Sequence, residues 1–255
     1  MPKPEQSSGP LPLLAALAAL SPLIVAVAVV AVRMGALDWR TAWELWVWTA
    51  AWWLSWLGAA AAVVAVILML KAPRARWGWA LVAFGLAAAT LVVFVQGWRA
   101  RQSLPPVHEA ATDWDEPPQP SSLIQRERGS ASTPVENDPV IGAEFGAPWA
   151  GRRVAEVDAE TCRGPRPVMS QLAPESAAGA LRDAGVRVVS SAPWRVEGIK
   201  EGMWFGFTRD VIVRIRPGRT DVRVIGREDR HDQGDACRLL TRVTRELAER
   251  AEAGG

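Results

Sequence analysis

Histidine, cysteine and lysine are scarce in this chain of 255 residues. There are two histidines and two cysteines without any Cys-x-x-Cys spacing, so neither a zinc site nor a dithiol redox motif is supported. Only three of the 29 cationic residues are lysines, and the arginines are scattered. The formal net charge of +2 divides into +5 over residues 1–102 and −3 over residues 103–255, which is too weakly basic for nucleic-acid binding.

Charged residues are almost absent from three long stretches near the N-terminus. A helix of about 20 apolar residues crosses a hydrocarbon core of about 30 Å, where lipid offers the backbone no hydrogen-bond partner. The stretches run over residues 13–32, 46–70 and 77–98. We therefore predict a transmembrane region of three helices over residues 1–102, with the lipid bilayer as its partner. Pro22, beside Ser21, predicts a kink in the first helix.

Two alternatives to plain membrane helices remain open. A cleaved signal peptide would also place a lysine before an apolar run, although residues 13–32 are longer than a usual apolar region of about 7–15 residues. Ten of the 14 tryptophans lie between Trp39 and Trp98, where tryptophan favours the headgroup boundary. They could instead line a quinone or haem pocket, but no span contains a histidine to ligate haem. We expect no cofactor.

The cationic turn from Lys71 to Arg76 indicates the orientation. Placing this short loop in the cytoplasm also places Lys3 there, and four cations then lie on each side, so the number of cations does not determine the orientation. The dense cluster in this short loop favours a cytoplasmic loop and a cytoplasmic N-terminus. Three spans deliver the rest of the chain to the other side. We expect an inner (plasma) membrane protein with a cytoplasmic N-terminus and a periplasmic C-terminal domain.

The remaining residues divide into a linker and a small domain. Residues 103–148 are rich in proline, serine and acidic residues without apolar periodicity, which predicts an extended tether along the membrane-proximal face of the domain. Residues 149–255 predict an α+β domain, in which an antiparallel sheet carries two helices on one face. Helices are expected over residues 174–184 and 235–250. Strands are expected over residues 186–189, 194–199, 203–207, 211–216 and 222–227.

Several short motifs in this domain occur at characteristic spacing. The run WFGFTRDV begins at Trp204, DVRVIGR begins at Asp221, and Asp232-Gln233-Gly234 precedes Arg238 on the last helix. Upstream, TDWDEPP begins at Thr112. Together these motifs resemble the domain-of-unknown-function 1499 family (DUF1499) over about residues 103–250. The signature residues are Phe205, Gly206, Phe207, Asp210, Asp232 and Gly234.

The resemblance implies a bacterial cell-envelope protein, or an organelle-lumen relative, without an established activity. The chain departs from the family pattern at Val224 and Gly226, where serines are usual, and at Ala236, where a turn asparagine is usual. Arg209 replaces one of a common acidic pair. Chemistry that depends on those groups is not expected here.

Two polar clusters are candidate sites, and each has a structural alternative. His231 with Asp232 could act as a general base and its orienting carboxylate, although Asp232 also stands where a helix cap belongs. Arginines on the strands could bind an anion such as a phospholipid headgroup, because guanidinium groups match phosphate and carboxylate. The alternative is a solvated sheet face on which Asp210, Asp221 and Glu228 balance the arginines. This second set consists of Arg214, Arg216, Arg223, Arg227 and Arg238.

Cys162 and Cys237 can form a disulfide in an oxidising compartment, but free cysteine packs well as a small hydrophobe, which favours two separate buried thiols. The sequence thus indicates an integral membrane protein whose extracytoplasmic domain binds or organises an anionic or lipid-like ligand or another envelope protein. An envelope enzyme of hydrolase type, using His231 and Asp232, is the alternative. Neither a metal nor a nucleic acid is an expected partner.

Overall fold

A computed structural model describes residues 10–71 and 73–254, and the chain divides into two compact units between Arg99 and Ala100. Among the described residues, three helices are long and apolar enough to cross a membrane, which confirms that prediction. Helix α1 spans Leu11–Arg33, α2 spans Trp39–Lys71 and α3 spans Pro73–Ser103. The expected orientation depends on Lys3 and on the side chains of Arg74 and Arg76, which lie outside the described residues.

Helices α1 and α2 pack through small side chains. A Cβ atom added to Gly58 would lie 3.2 Å from the Ala18 Cα atom, so the two backbones approach closely there. The buried Ser21 hydroxyl donates a hydrogen bond of 2.7 Å to the Ala51 carbonyl oxygen. Ala51 ends a π-helical segment, Ala42–Ala51, within α2. The hydroxyl beside Pro22 therefore connects the two helices.

The C-terminal unit contains a five-stranded antiparallel sheet in the order β1-β5-β4-β3-β2. Its strands are β1 Glu109–Ala111, β2 Arg187–Ala192, β3 Arg195–Glu201, β4 Thr208–Arg216 and β5 Arg219–Gly226. The prediction of a strand over residues 203–207 is wrong, because this segment is a loop in which Gly206 has a φ of 71°. The aromatic residues of this segment are typical of strands, although no strand forms there.

The prediction of an extended tether over residues 103–148 is corrected by the structure. This segment contributes β1 and helix α4 (Ser122–Arg128) to the domain, and five of its prolines are buried. β1 forms the edge of the sheet beside β5. The segment has no apolar periodicity because much of what it buries is charged or is proline, so the pattern could not reveal this packing.

The helices of the domain are α5 Val154–Thr161, α6 Pro174–Asp183 and α7 Asp235–Gly254. Helices α6 and α7 cover one face of the sheet, as predicted, while α5 was not expected. The core between them includes Ala177, Leu181, Val196, Val211, Val213, Val222, Val224, Leu240 and Leu247.

A disulfide joins Cys162, directly after α5, to Cys237 in the first turn of α7. Two separate buried thiols were the favoured expectation, and that expectation is wrong. The two residues are 75 positions apart in the sequence, and the fold brings their Cα atoms to 5.7 Å. Their spacing alone contained no signal for this approach.

Candidate functional site

The face of the sheet opposite α6 and α7 carries the arginines. Because side chains alternate along a strand, Val213 and Ile215 enter the helix-covered core while Arg214 and Arg216 point to the other side, as predicted. This second face is not simply solvated. The edge strand β1 and residues 112–136, which lie over this face, supply carboxylates that pair with its arginines.

Arg214 and Arg216 share two buried carboxylates. The Nη2 atom of each lies 3.0 Å from Asp113 Oδ2, and Arg216 Nη2 also lies 2.7 Å from Asp221 Oδ2. Arg219 Nε lies 2.6 Å from the other oxygen of Asp221. Asp113 belongs to the TDWDEPP motif, so this motif supplies a carboxylate that neutralises Arg214 and Arg216.

Arg223 and Arg227 are also paired within the domain. The fully buried Arg223 donates from Nη2 to Glu109 Oε2 at 2.5 Å and to the Glu136 carbonyl oxygen at 2.6 Å. Arg227 Nη2 lies 2.6 Å from Asp210 Oδ1, and Arg128 Nη1 lies 2.5 Å from Asp210 Oδ2. Arg128 was missed in the sequence because nothing local marks a helical arginine as buried.

Arg238 does not join this cluster. It lies on the exposed side of α7 and pairs with Asp235, three residues earlier on the same helix. The structure therefore brings four of the five predicted arginines to one sheet face, each beside a carboxylate, and leaves the fifth elsewhere. These pairings favour a structural role for the four.

His231 and Asp232 each have hydrogen-bond partners other than one another. His231 Nε2 lies 2.9 Å from the Leu104 carbonyl oxygen, and Nδ1 accepts from the Gln233 amide at 3.0 Å. These contacts fit a neutral imidazole with its proton on Nε2, and burial lowers the pKa of His231. Asp232 accepts from the Gly234 and Ala236 amides, both at 2.7 Å, and thus caps α7.

A small cavity of about 30 Å³ lies beside the disulfide, and carboxylates line it together with apolar residues. Asp158 Oδ2 accepts from Trp114 Nε1 at 2.7 Å and from the Ala111 amide at 3.2 Å. Burial is the main cause that raises the pKa of Asp158 to about 6. The other carboxylates at this cavity are those of Glu109 and Asp232.

A larger open groove of about 540 Å³ runs along the C-terminal part of α7. Val168, Met169, Ala248 and Ala251 give it an apolar surface, and its charged lining residues are Arg166, Arg245 and Glu252. This groove was not predicted. Its cationic residues lie on a loop and on a helix about 80 residues apart, and no shared motif connects them.

Family models, curated proteins and solved structures were compared with this chain, and none matches. Among the described residues, no group of three or more His, Cys, Asp or Glu side chains could hold a metal ion. The architecture defines the class: a chain with three membrane-spanning helices by length and composition, followed by a disulfide-containing α+β domain.

Proposed function

We propose that this chain is an integral membrane protein of the cell envelope whose C-terminal domain is displayed on the oxidising side of the membrane. The Cys162–Cys237 disulfide carries this proposal, because disulfides persist in periplasmic and extracellular compartments and are rare in the cytosol. A cytoplasmic N-terminus, which is part of this proposal, and three spans agree with that location. The motifs around Phe205 and Asp232 support membership of the DUF1499 family, which is part of the same proposal.

The test of location is a pair of reporter fusions after residue 255, one active only in the periplasm and one active only in the cytoplasm. We expect activity from the periplasmic reporter alone, together with a cysteine pair that resists alkylation in intact cells. A cytoplasmic C-terminus, or two cysteines that are alkylated without prior reduction, would contradict the proposed location.

Within this class, a binding module for an anionic amphiphile is the function that the geometry supports best. The groove along α7 joins an apolar surface to the guanidinium groups of Arg166 and Arg245, and its volume lies within the range of about 300–1,000 Å³ that is usual for ligand sites. Arg245 lies 2.8 Å from Glu246 and 3.6 Å from Glu249, but solvent screens the ion pairs of such an exposed arginine, so a ligand anion can replace them. The arginines of the sheet face already have internal carboxylate partners.

The groove is tested with the full chain in nanodiscs of zwitterionic lipid. A short-chain phosphatidic acid below its critical micelle concentration is titrated, and empty nanodiscs correct for partition into lipid. Arg166→Ala with Arg245→Ala should weaken binding at least tenfold. Arg238→Ala is the matched control, because Arg238 and Arg245 lie on the same helix with side chains 61% and 65% exposed. Equal losses in both variants would show a general charge effect and contradict the site.

The envelope enzyme is the second candidate, and its site has less support. Both ring nitrogens of His231 are engaged by backbone groups, and Asp232 caps a helix, so a base with a free lone pair would require this turn to rearrange. His231→Gln with unchanged binding but lost cellular function would favour catalysis over the binding module.

A further inference from the structure

The loop between β3 and β4 presents two large apolar side chains to solvent. Met203 is 79% exposed and Trp204 is 64% exposed, which is unusual for such neighbouring residues in a folded domain. The next aromatic residues of the same loop, Phe205 and Phe207, are buried and stack with ring centroids 5.5 Å apart. The loop therefore has an inward anchor and an outward tip.

Hydrogen bonds and a cation–π contact hold this loop in shape. The Gly202 amide donates to the Phe207 carbonyl oxygen at 2.8 Å and closes the loop. The Thr208 amide donates to both oxygens of Glu228, at 2.9 and 3.0 Å. The Arg230 guanidinium lies 4.0 Å from the centroid of the Phe207 ring. A fixed backbone lets the tip side chains meet a surface with little loss of conformational entropy.

The loop lies at the end of the sheet where the chain enters the domain. The Gly226 amide at the end of β5 donates to the His108 carbonyl oxygen, and Gly226 lies opposite Arg209 in β4. Thr208, at the start of β4, directly follows the loop. With strands about 4.8 Å apart, two strand spacings, or about 10 Å, separate the entering chain from the base of the loop.

The covalent connection between the third apolar stretch and the domain is short. The third apolar stretch ends at Trp98, and six residues later Leu104 is held by His231 inside the domain. Six residues span at most about 20 Å even when fully extended. This limit applies whatever angle the domain takes to the membrane.

We propose that Met203 and Trp204 insert into the headgroup region of the bilayer that holds the apolar helices of this chain, and so dock the domain on the membrane surface. Tryptophan prefers that region because its ring is apolar and its N–H can hydrogen-bond there. Two side chains would hold a free domain only weakly, but a short covalent connection makes the contact intramolecular at an effective concentration of about millimolar. The docking does not depend on the groove along α7 or on its ligand.

The chain contains its own control. Trp194 in the turn between β2 and β3 is also 64% exposed, but it lies at the opposite end of the same sheet. Equal exposure and identical chemistry make position the only intended difference between Trp204 and Trp194. The two cysteines of the chain are joined in the disulfide, so an introduced cysteine can be labelled selectively under non-reducing conditions.

The experiment places a nitroxide label at residue 203 (Met203→Cys) or 194 (Trp194→Cys) of the full chain in phospholipid vesicles. Collision rates with oxygen, which dissolves in lipid, and with a water-soluble nickel chelate report the depth of each label. We expect the label at 203 to collide with the nickel chelate at least threefold less often than the label at 194. Trp204→Ala should remove this protection at 203, and Trp194→Ala should leave it unchanged.

Equal nickel accessibility at the two positions would overturn the proposal, and so would protection at 203 that survives Trp204→Ala. Each variant is first checked for an intact disulfide by its mobility on a non-reducing gel. A repeat in detergent micelles without vesicles adds a second measurement. Detergent covers the apolar helices in micelles as lipid does in vesicles, so protection of the label at 203 relative to 194 is expected in both, and its absence in both contradicts docking.

Discussion

Arg223 and Glu109 form an ion pair inside the C-terminal domain, with Nη2 2.5 Å from Oε2 and side chains that are 0% and 5% exposed. Glu109 begins β1 and Arg223 lies in β5, so the pair fastens the edge strand to the sheet. The Arg223 guanidinium also lies over the Trp114 ring, 5.5 Å from its centroid. The first prediction follows from this burial.

Glu109→Leu should destabilise the domain by about 3–5 kcal/mol, because it leaves Arg223 buried without its carboxylate. Glu109→Leu combined with Arg223→Leu should be less damaging than the single change, since no unpaired charge remains. Hydrogen exchange of the β5 amides in the full chain measures the opening free energy of this part of the sheet. Equal losses in the single and double variants would mean that the charge of Arg223 is not what costs free energy.

The same pair shows what the sequence could reveal about the fold. Helices α1, α6 and α7 were predicted because apolar spacing or an apolar run is visible within one segment. β1 was not, because the reason that Glu109 is buried lies 114 residues away in Arg223. No local pattern distinguishes such a glutamate from a solvated one.

The candidate site could also be predicted only where its contacts are local in the sequence. Alternation along β4 correctly placed Arg214 and Arg216 on one face, since that property is local. Asp221, which the sequence offered as a balancing carboxylate, pairs with both arginines. The other partners, Asp113 and Glu116, stand about 100 residues upstream in a proline-rich segment, so this part of the neutralisation could not be predicted. The disulfide was missed for the same physical reason, because its formation depends on how α5 meets α7.

The second prediction concerns that disulfide. Cys162→Ser with Cys237→Ser should destabilise the domain by about 4 kcal/mol, because the bond closes a loop of 75 residues and restricts the unfolded chain. The loss should appear as a lower midpoint in urea denaturation of the full chain in micelles. Reduction of the parent protein should reproduce it, and full reduction without a shift in midpoint would contradict this role.

The third prediction is a pH dependence that originates at Asp158. The pKa of its carboxyl is raised from the ordinary value of 3.8 to about 6, mainly by burial, so the folded protein holds this proton where the unfolded chain has lost it. The contribution of this group to stability is therefore complete below about pH 3.8 and declines as pH rises to about 6. The decline between pH 4 and 7 should be on the order of 2 kcal/mol.

Asp158→Asn removes the titration and should keep an acceptor for the Trp114 N–H. The parent should therefore lose stability relative to this variant as the pH rises from 4 to 7, in urea titrations of both proteins at a series of pH values. Glu160→Gln at the exposed end of the same helix is the control. The hydrogen bond with Arg152 lowers the pKa of Glu160, so its contribution to stability is complete above about pH 5.5, and there this variant should follow the parent. A parent and an Asp158→Asn variant with parallel pH profiles would rule out a raised pKa.

The fourth prediction tests the packing of the apolar helices. A Cβ at Gly58 on α2 would lie 3.2 Å from Ala18 Cα on α1, closer than ordinary van der Waals contact, whereas nothing lies within 4 Å of a Cβ at Gly85 on α3. Gly58→Leu should separate α1 from α2, break the 2.7 Å hydrogen bond from Ser21 to Ala51, and lower the temperature of heat-induced aggregation in micelles by several degrees. Gly85→Leu adds the same side chain at an open helix position and should leave that temperature unchanged or raise it, because leucine has the higher helix propensity. A similar fall in both variants would show that bulk on any of these helices is harmful, and the close approach at Gly58 would then have no special role.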